Sequence, residues 1–231
     1  MRQYFPFTDY DFYGYLSCGV VFLFSCDFFL SGSVYFFQEN WNFAEIALMI
    51  VLCYVSGQII AHIASIILED LLAKVILLSP TEILLSERQA GFKILIGKLV
   101  GDYYSPLPFA ISKKIRARIK KGLKSTEMKS QYDCNSIFQI AFVVARQNPD
   151  TRERIDNFRN QYGFHRNMAI SSLVASMLFY LKFHDTLTAD LVTRNWAYFF
   201  LIISIGMTCR FLKFYRHFTK EVLQAYAYPS K

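Results

Sequence analysis

The chain lacks the short signatures of the common enzyme classes. It has no phosphate-cradling GxxxxGK[S/T] loop, no dinucleotide fingerprint, no HExxH and no GxSxG. Its five cysteines form no CxxC and no Cys/His spacing suited to zinc. Cys18, Cys26, Cys53 and Cys209 lie in apolar runs and Cys134 in a polar stretch, so all are read as reduced thiols and not as a disulfide framework. No metal and no cofactor is expected. The opening MRQYFPFTDYDF has one basic residue, two acids and no small-residue cleavage site after it, so the first apolar run is expected to be retained. Lys and Arg are also missing from one short segment, 31–42, and only Arg194 occupies another, 184–195.

Apolar residues fill the space that these absences leave. They are 54% of the 231 residues, with 23 Phe and 15 Tyr, and the net charge is +7. A bilayer core needs about 20 apolar residues as helix. Four runs approach or exceed that length: 13–30, 43–68, 168–183 and 196–215. The expected fold is therefore all-α and polytopic, with four transmembrane helices in two hairpins around a helical cytosolic middle. Residues 1–68 form the first hairpin, 69–164 the basic middle, and 165–231 the second hairpin and tail. The mean hydropathy, +0.25, fits a chain that is only partly membrane.

Charge sets the expected orientation. Sixteen Lys and Arg lie in 69–164, and Lys213, Arg216, Lys220 and Lys231 follow the last run. Basic residues stay on the cytosolic side. The middle, the tail and, with an even number of spans, the N-terminus are expected in the cytosol of an inner-membrane, multi-pass protein.

Small residues Gly57, Ala61 and Ser65 recur every four positions in the second run. Such a stripe admits a close helix neighbour, either within the chain or in a homo-oligomer. Ionisable and polar groups in apolar runs each need an account. Asp27 and Glu45 lie toward the external end of the first hairpin, where they face a pore, bind a cation or sit in the wet interface. Gln58 and His62, one turn apart, are suited to hydrogen bonds across helices or to contact with a proton or ligand.

In the middle, Ser79-Pro80-Thr81-Glu82 reads as a helix start with a capping box. ILLSERQAGFKILIGKLV is apolar enough for a small core, and GDYYSPLP breaks it. Ile111, Ile115, Ile119 and Leu123 then form one narrow apolar stripe, flanked by Lys113, Lys114, Arg116, Arg118, Lys120 and Lys121. This basic amphipathic helix suits an anionic lipid surface or a protein partner. Nucleic acid is the weaker partner, because no base-reading fold or aromatic interleaving accompanies the charge. Residues 136–146 form a further apolar helix, and Asn148-Pro149-Asp150 starts one that runs into the third span, with Gly163 as its weak point.

Arg159-Asn160 followed by His165 is similar to the ribonuclease motif of the helical HEPN family, in which the His would act as acid/base and the Arg would steady a phosphate. Three longer stretches, YDFYGYLSCG (10–19), SGQIIAHIASIILE (56–69) and RIDNFRNQYGFHRNMA (154–169), together resemble a diffuse group of bacterial four-span membrane proteins. Those have an aromatic FDFxGYLxPG-like opening and a YGFxRN-like run before the third span. Cys18 stands where that pattern has Pro. Proteins of this build are similar to membrane effectors of phage-defence and CRISPR-accessory loci. The resemblance implies a non-enzymatic, oligomeric effector, pore-like element or scaffold whose basic region receives a partner or signal. The alternatives are a membrane-tethered ribonuclease and a small transporter or channel.

Overall fold

The computed structural model describes residues 10–32, 35–85, 100, 102–122, 134–185 and 191–228. These are helical almost throughout, and no strand occurs among them. A π-helical turn, Asp11–Leu16, leads into α1, Ser17–Ser31. Gly32 ends α1 in the left-handed region at φ 73°, where a residue without Cβ carries no steric penalty. α2, Phe43–Ala64, starts on a capping box made by Asn42 and Glu45 and continues as π-helix over Ser65–Ile76. Then follow α3 (Pro80–Leu85), a 3-10 turn (Asp102–Tyr104), α4 (Phe109–Gly122), α5 (Cys134–Ala145), α6 (Pro149–Asp185) and α7 (Leu191–Ala227).

The chain divides into two compact units. The first comprises Met1–Asp70 and Gly163–Phe211. In it α1 and α2 approach at backbone contact. A Cβ on Gly19 would collide with the Cys53 carbonyl, and one on Gly57 with the Tyr15 carbonyl. Residues 163–185 of α6 touch two neighbours. Phe179 stacks on Phe28 of α1 at 4.3 Å, and Ser171 donates to the Cys18 carbonyl at 2.6 Å. Ser176 donates to the Ala197 carbonyl of α7 at 2.8 Å, and Ser204 of α7 donates to the Ala169 carbonyl at 2.8 Å. Ala175, Phe179, Ala197 and Phe200 form the core of this contact. The outward surfaces are apolar and exposed, with Leu48, Val51, Val55, Ile59 and Ile63 on α2 and Phe199, Ile202 and Ile205 on α7.

Three helical stretches are long and apolar enough to cross a membrane: Phe12–Ser31, Phe43–Leu85 and Leu191–Ala227. The expected third run, 168–183, is not among them. Its serines lower its hydropathy, yet Ser171, Ser172 and Ser176 are buried inside the unit. A helix shielded by its neighbours needs less apolar surface than one that faces lipid.

The second unit comprises Leu71–Tyr162 and Leu212–Lys231. Its core gathers Leu84, Leu85, Leu107, Ile115, Ala141, Ala145, Ile155, Phe218, Val222 and Leu223. The expected capping box forms: Ser79 Oγ accepts from the Glu82 N–H at 3.3 Å, and the Ser79 N–H donates to Glu82 Oε2 at 3.1 Å. Asn148 Oδ1 likewise accepts from the Asp150 and Thr151 N–H groups at the start of α6. Most of ILLSERQAGFKILIGKLV, together with Leu123, lies outside the described residues. Residues 212–228 pack in this unit, where Phe218, Val222, Leu223 and Tyr226 complete its core.

Candidate functional site: a buried polar node

Residues 10–14, Glu69 and residues 163–167 meet inside the first unit. Asn167, on α6, is fully buried at 0% exposure. Its Nδ2 donates to the Gly14 carbonyl at 3.0 Å and to Tyr10 Oη at 3.4 Å, and its Oδ1 accepts from Arg166 Nε at 3.1 Å. Arg166 Nη1 then pairs with Glu69 Oε1. The two side chains of that pair are 12% and 16% exposed.

Packing allows this node only with glycine at two positions. The Tyr10 ring lies where a Cβ on Gly14 would come within 2.7 Å of it, and a Cβ on Gly163 would meet Tyr10 Oη. Gly163 therefore does not interrupt α6; it makes room for Tyr10, and the helix runs through it. The buried charge pair has hydrogen-bonding support from Asn167, which is the condition for a buried ion pair to be tolerated. Chemically the node is a clamp. It presents no open nucleophile and no group of three or more metal-ligating side chains among the described residues.

The expected site residues fall in several places. Gly57 and Ala61 are buried and Ser65 half-buried, with Gly57 directed at Tyr15 of the same chain. The small-residue stripe is thus used for packing within the chain. Gln58 and His62 are exposed on the outward side of α2, and among the described residues neither is hydrogen-bonded to another helix. They sit about 100° around the helix from Gly57 and Ala61, so turning the small stripe inward turns them out. Asp27 is buried at 9% exposure, beside a cleft that Glu45 also lines.

The basic helix is also committed to packing. Ile115 is fully buried and Ile111 packs on the same core. Arg116 donates to the Leu85 carbonyl and Arg118 to the Tyr226 carbonyl, each at 2.7 Å, and Lys114 lies 3.6 Å over the Tyr228 ring. An apolar stripe used this way is not available to lie on a lipid surface. Lys113 remains exposed. The side chains of Ile119, Lys120 and Lys121 lie outside the described residues. For the ribonuclease motif, Arg159 is exposed but His165 is 8% exposed and packed edge-on against Phe164.

Sequence reasoning quoted Tyr10, Glu69, Arg166 and Asn167 within motifs but gave none of them a role. The available signal was an acid at the end of span two and a base at the start of span three, on one side of the expected membrane. No family model, curated protein or solved structure matches the chain.

Proposed function

We propose that the chain is a non-enzymatic four-span protein of the bacterial inner membrane, with both termini in the cytosol. It acts as an oligomeric effector, pore-like element or scaffold, and its basic middle region receives a partner or signal. The observation that carries this reading is the distribution of polarity in the first unit. Ser171, Ser176, Ser204, Asn167 and the Arg166–Glu69 pair are bonded inside, while the outward faces of α2 and α7 are largely apolar. Polar groups in lipid are best satisfied internally, and the bonded groups named here follow that rule. Residues 168–183 count as the fourth span because their polar groups are covered by α1 and α7.

Assembly is supported by Gln58 and His62. On an otherwise apolar outward face these two polar side chains are costly against hydrocarbon. A second copy covering that face would offer them partners. The burial of His165 counts against a ribonuclease, since a phosphate cannot reach its imidazole there.

Reporter fusions test the topology. An alkaline phosphatase moiety joined after Gln38 or after Asp185 should be active, and one joined after Gly122 or after Tyr228 inactive. Activity after Gly122 would overturn the orientation. Gln58→Cys should cross-link between copies in native membranes, whereas the native, buried Cys53 of the same helix should not. Absence of the Gln58→Cys product would remove the assembly.

A further inference from the structure

A cleft of about 690 Å³ opens between the C-terminal half of α1, the loop at 35–41 and the N-terminal half of α2. Tyr35, Phe36 and Trp41 line it together with two carboxylates, Asp27 and Glu45, above an apolar floor that includes Leu52. That volume is in the range of small-molecule sites, about 300–1,000 Å³.

The two charged side chains that line the cleft are both acids, and the cation at that end of α1, Lys182, donates to the Phe29 carbonyl at 2.9 Å. Asp27 is 9% exposed and is held in place by two neutral donors. The Ser31 hydroxyl donates to Oδ1, and the Phe36 N–H donates to Oδ2 at 3.0 Å. Among the described residues neither Asp27 nor Glu45 has a Lys, Arg or His within ion-pair distance. Asp27 also lies in the last turn of α1, where the helix dipole is negative. Taking a carboxylate out of water without a counter-charge is unfavourable. The segment 31–42 offers no basic side chain to supply one.

A bare metal ion fits this cleft poorly. The described residues contain no group of three or more His, Cys, Asp or Glu able to hold one. Hard cations take six or more oxygen ligands, far more than two carboxylates of this kind provide. Aromatic faces, by contrast, attract an organic cation and cover its apolar substituents. We infer that the cleft binds an ammonium group carried on an apolar body, with Asp27 as counter-charge, Glu45 as the second carboxylate and Trp41, Tyr35 and Phe36 as the aromatic wall. A lipid amine headgroup and a free lipophilic amine share this chemistry.

The test uses the full chain in a neutral maltoside detergent. The sequence has two tryptophans, Trp41 and Trp196, so Trp196→Phe leaves Trp41 as the only reporter. Benzyltrimethylammonium is the probe and benzyl alcohol the neutral control. The expected result is a saturable change in Trp41 emission with the cation and none with the alcohol. Asp27→Asn should weaken the apparent affinity at least tenfold, since the amide oxygen can still accept from the Phe36 N–H and its NH2 can donate to the Ser31 hydroxyl, but the charge is lost. Glu45→Gln, which retains the capping box, should weaken it less. Glu39→Gln, an acid of the same loop outside the lining, should leave it unchanged. Equal responses to cation and alcohol, or equal affinity in Asp27→Asn and the parent, would overturn the assignment. The Glu45→Gln variant keeps the test decisive if Asp27→Asn does not fold, because an unchanged affinity there also rejects a paired-carboxylate site. Nanodiscs then separate the sources. Competition by phosphatidylethanolamine, and not by phosphatidylglycerol, assigns a headgroup; no competition by either assigns a free amine.

Discussion

Gly57→Ala and Gly206→Ala make the same chemical change in two apolar helices and should have opposite signs. At Gly57 the added methyl meets the Tyr15 carbonyl, and Tyr15 Cα lies 3.0 Å away. These are backbone atoms, so no side chain can rotate aside and α1 must move away from α2. Overpacking costs about 1–3 kcal/mol, and a backbone collision belongs at the upper end. Replacing glycine in a helix returns about 1 kcal/mol. The net loss is about 2 kcal/mol, on the order of a 30-fold change in the folded-to-unfolded ratio. At Gly206 an added Cβ meets nothing within 4 Å, so only the propensity gain remains. The two variants should therefore differ by about 3 kcal/mol. Thermal unfolding in maltoside micelles, followed by far-UV circular dichroism, measures the order directly. Equal midpoints for the two variants would refute the close approach of α1 and α2. The same collision means that a larger residue at 57 damages the chain's own fold, so loss of assembly in such a variant says nothing about an interface.

Three further outcomes follow from the packing. Glu69→Leu alone should destabilise by about 3 kcal/mol because it strands a largely buried Arg166, and the double variant Glu69→Leu/Arg166→Met should regain most of that loss; a double variant worse than the single would show that the pair is not coupled. Ile115→Ala should cost about 2–5 kcal/mol and open the second unit to limited proteolysis, whereas Lys113→Ala, exposed on the same helix, should stay within about 0.5 kcal/mol. Burial, reinforced by Tyr215 and Tyr104, pushes the Tyr103 phenol above its ordinary value. Its folded state therefore favours the neutral form, and that stabilisation is present below about pH 10 and lost as pH rises through the raised value. Tyr103→Phe should lessen the alkaline loss of stability in a pH series, and an unchanged alkaline limb would contradict the burial.

Local chemistry was readable from the residues alone. The capping box at Ser79, the break at Pro106 and Pro108, and the basic helix around Ile115 all rest on neighbours within a few positions. Their physics is local, so spacing suffices. The faces were harder. Every residue in an apolar run looks suited to lipid, and only tertiary contacts, Gly57 against Tyr15 and Gly19 against Cys53, show which side of α2 turns inward. The same holds for the basic helix, whose stripe fits a membrane surface or a protein core equally well until Leu85 and Tyr226 are seen to accept from its arginines.

The sequence by itself determined an all-helical chain with long apolar runs, a basic middle and a pair of loops poor in Lys and Arg. Composition and periodicity carry those properties. Only the tertiary structure decided that Tyr10, Gly14, Glu69, Gly163, Arg166 and Asn167 share one buried node, and that Asp27 and Glu45 line one cleft. The partners are 153 or 157 positions apart for Asn167 and 97 for the ion pair. No periodicity reaches across such separations; helix packing does.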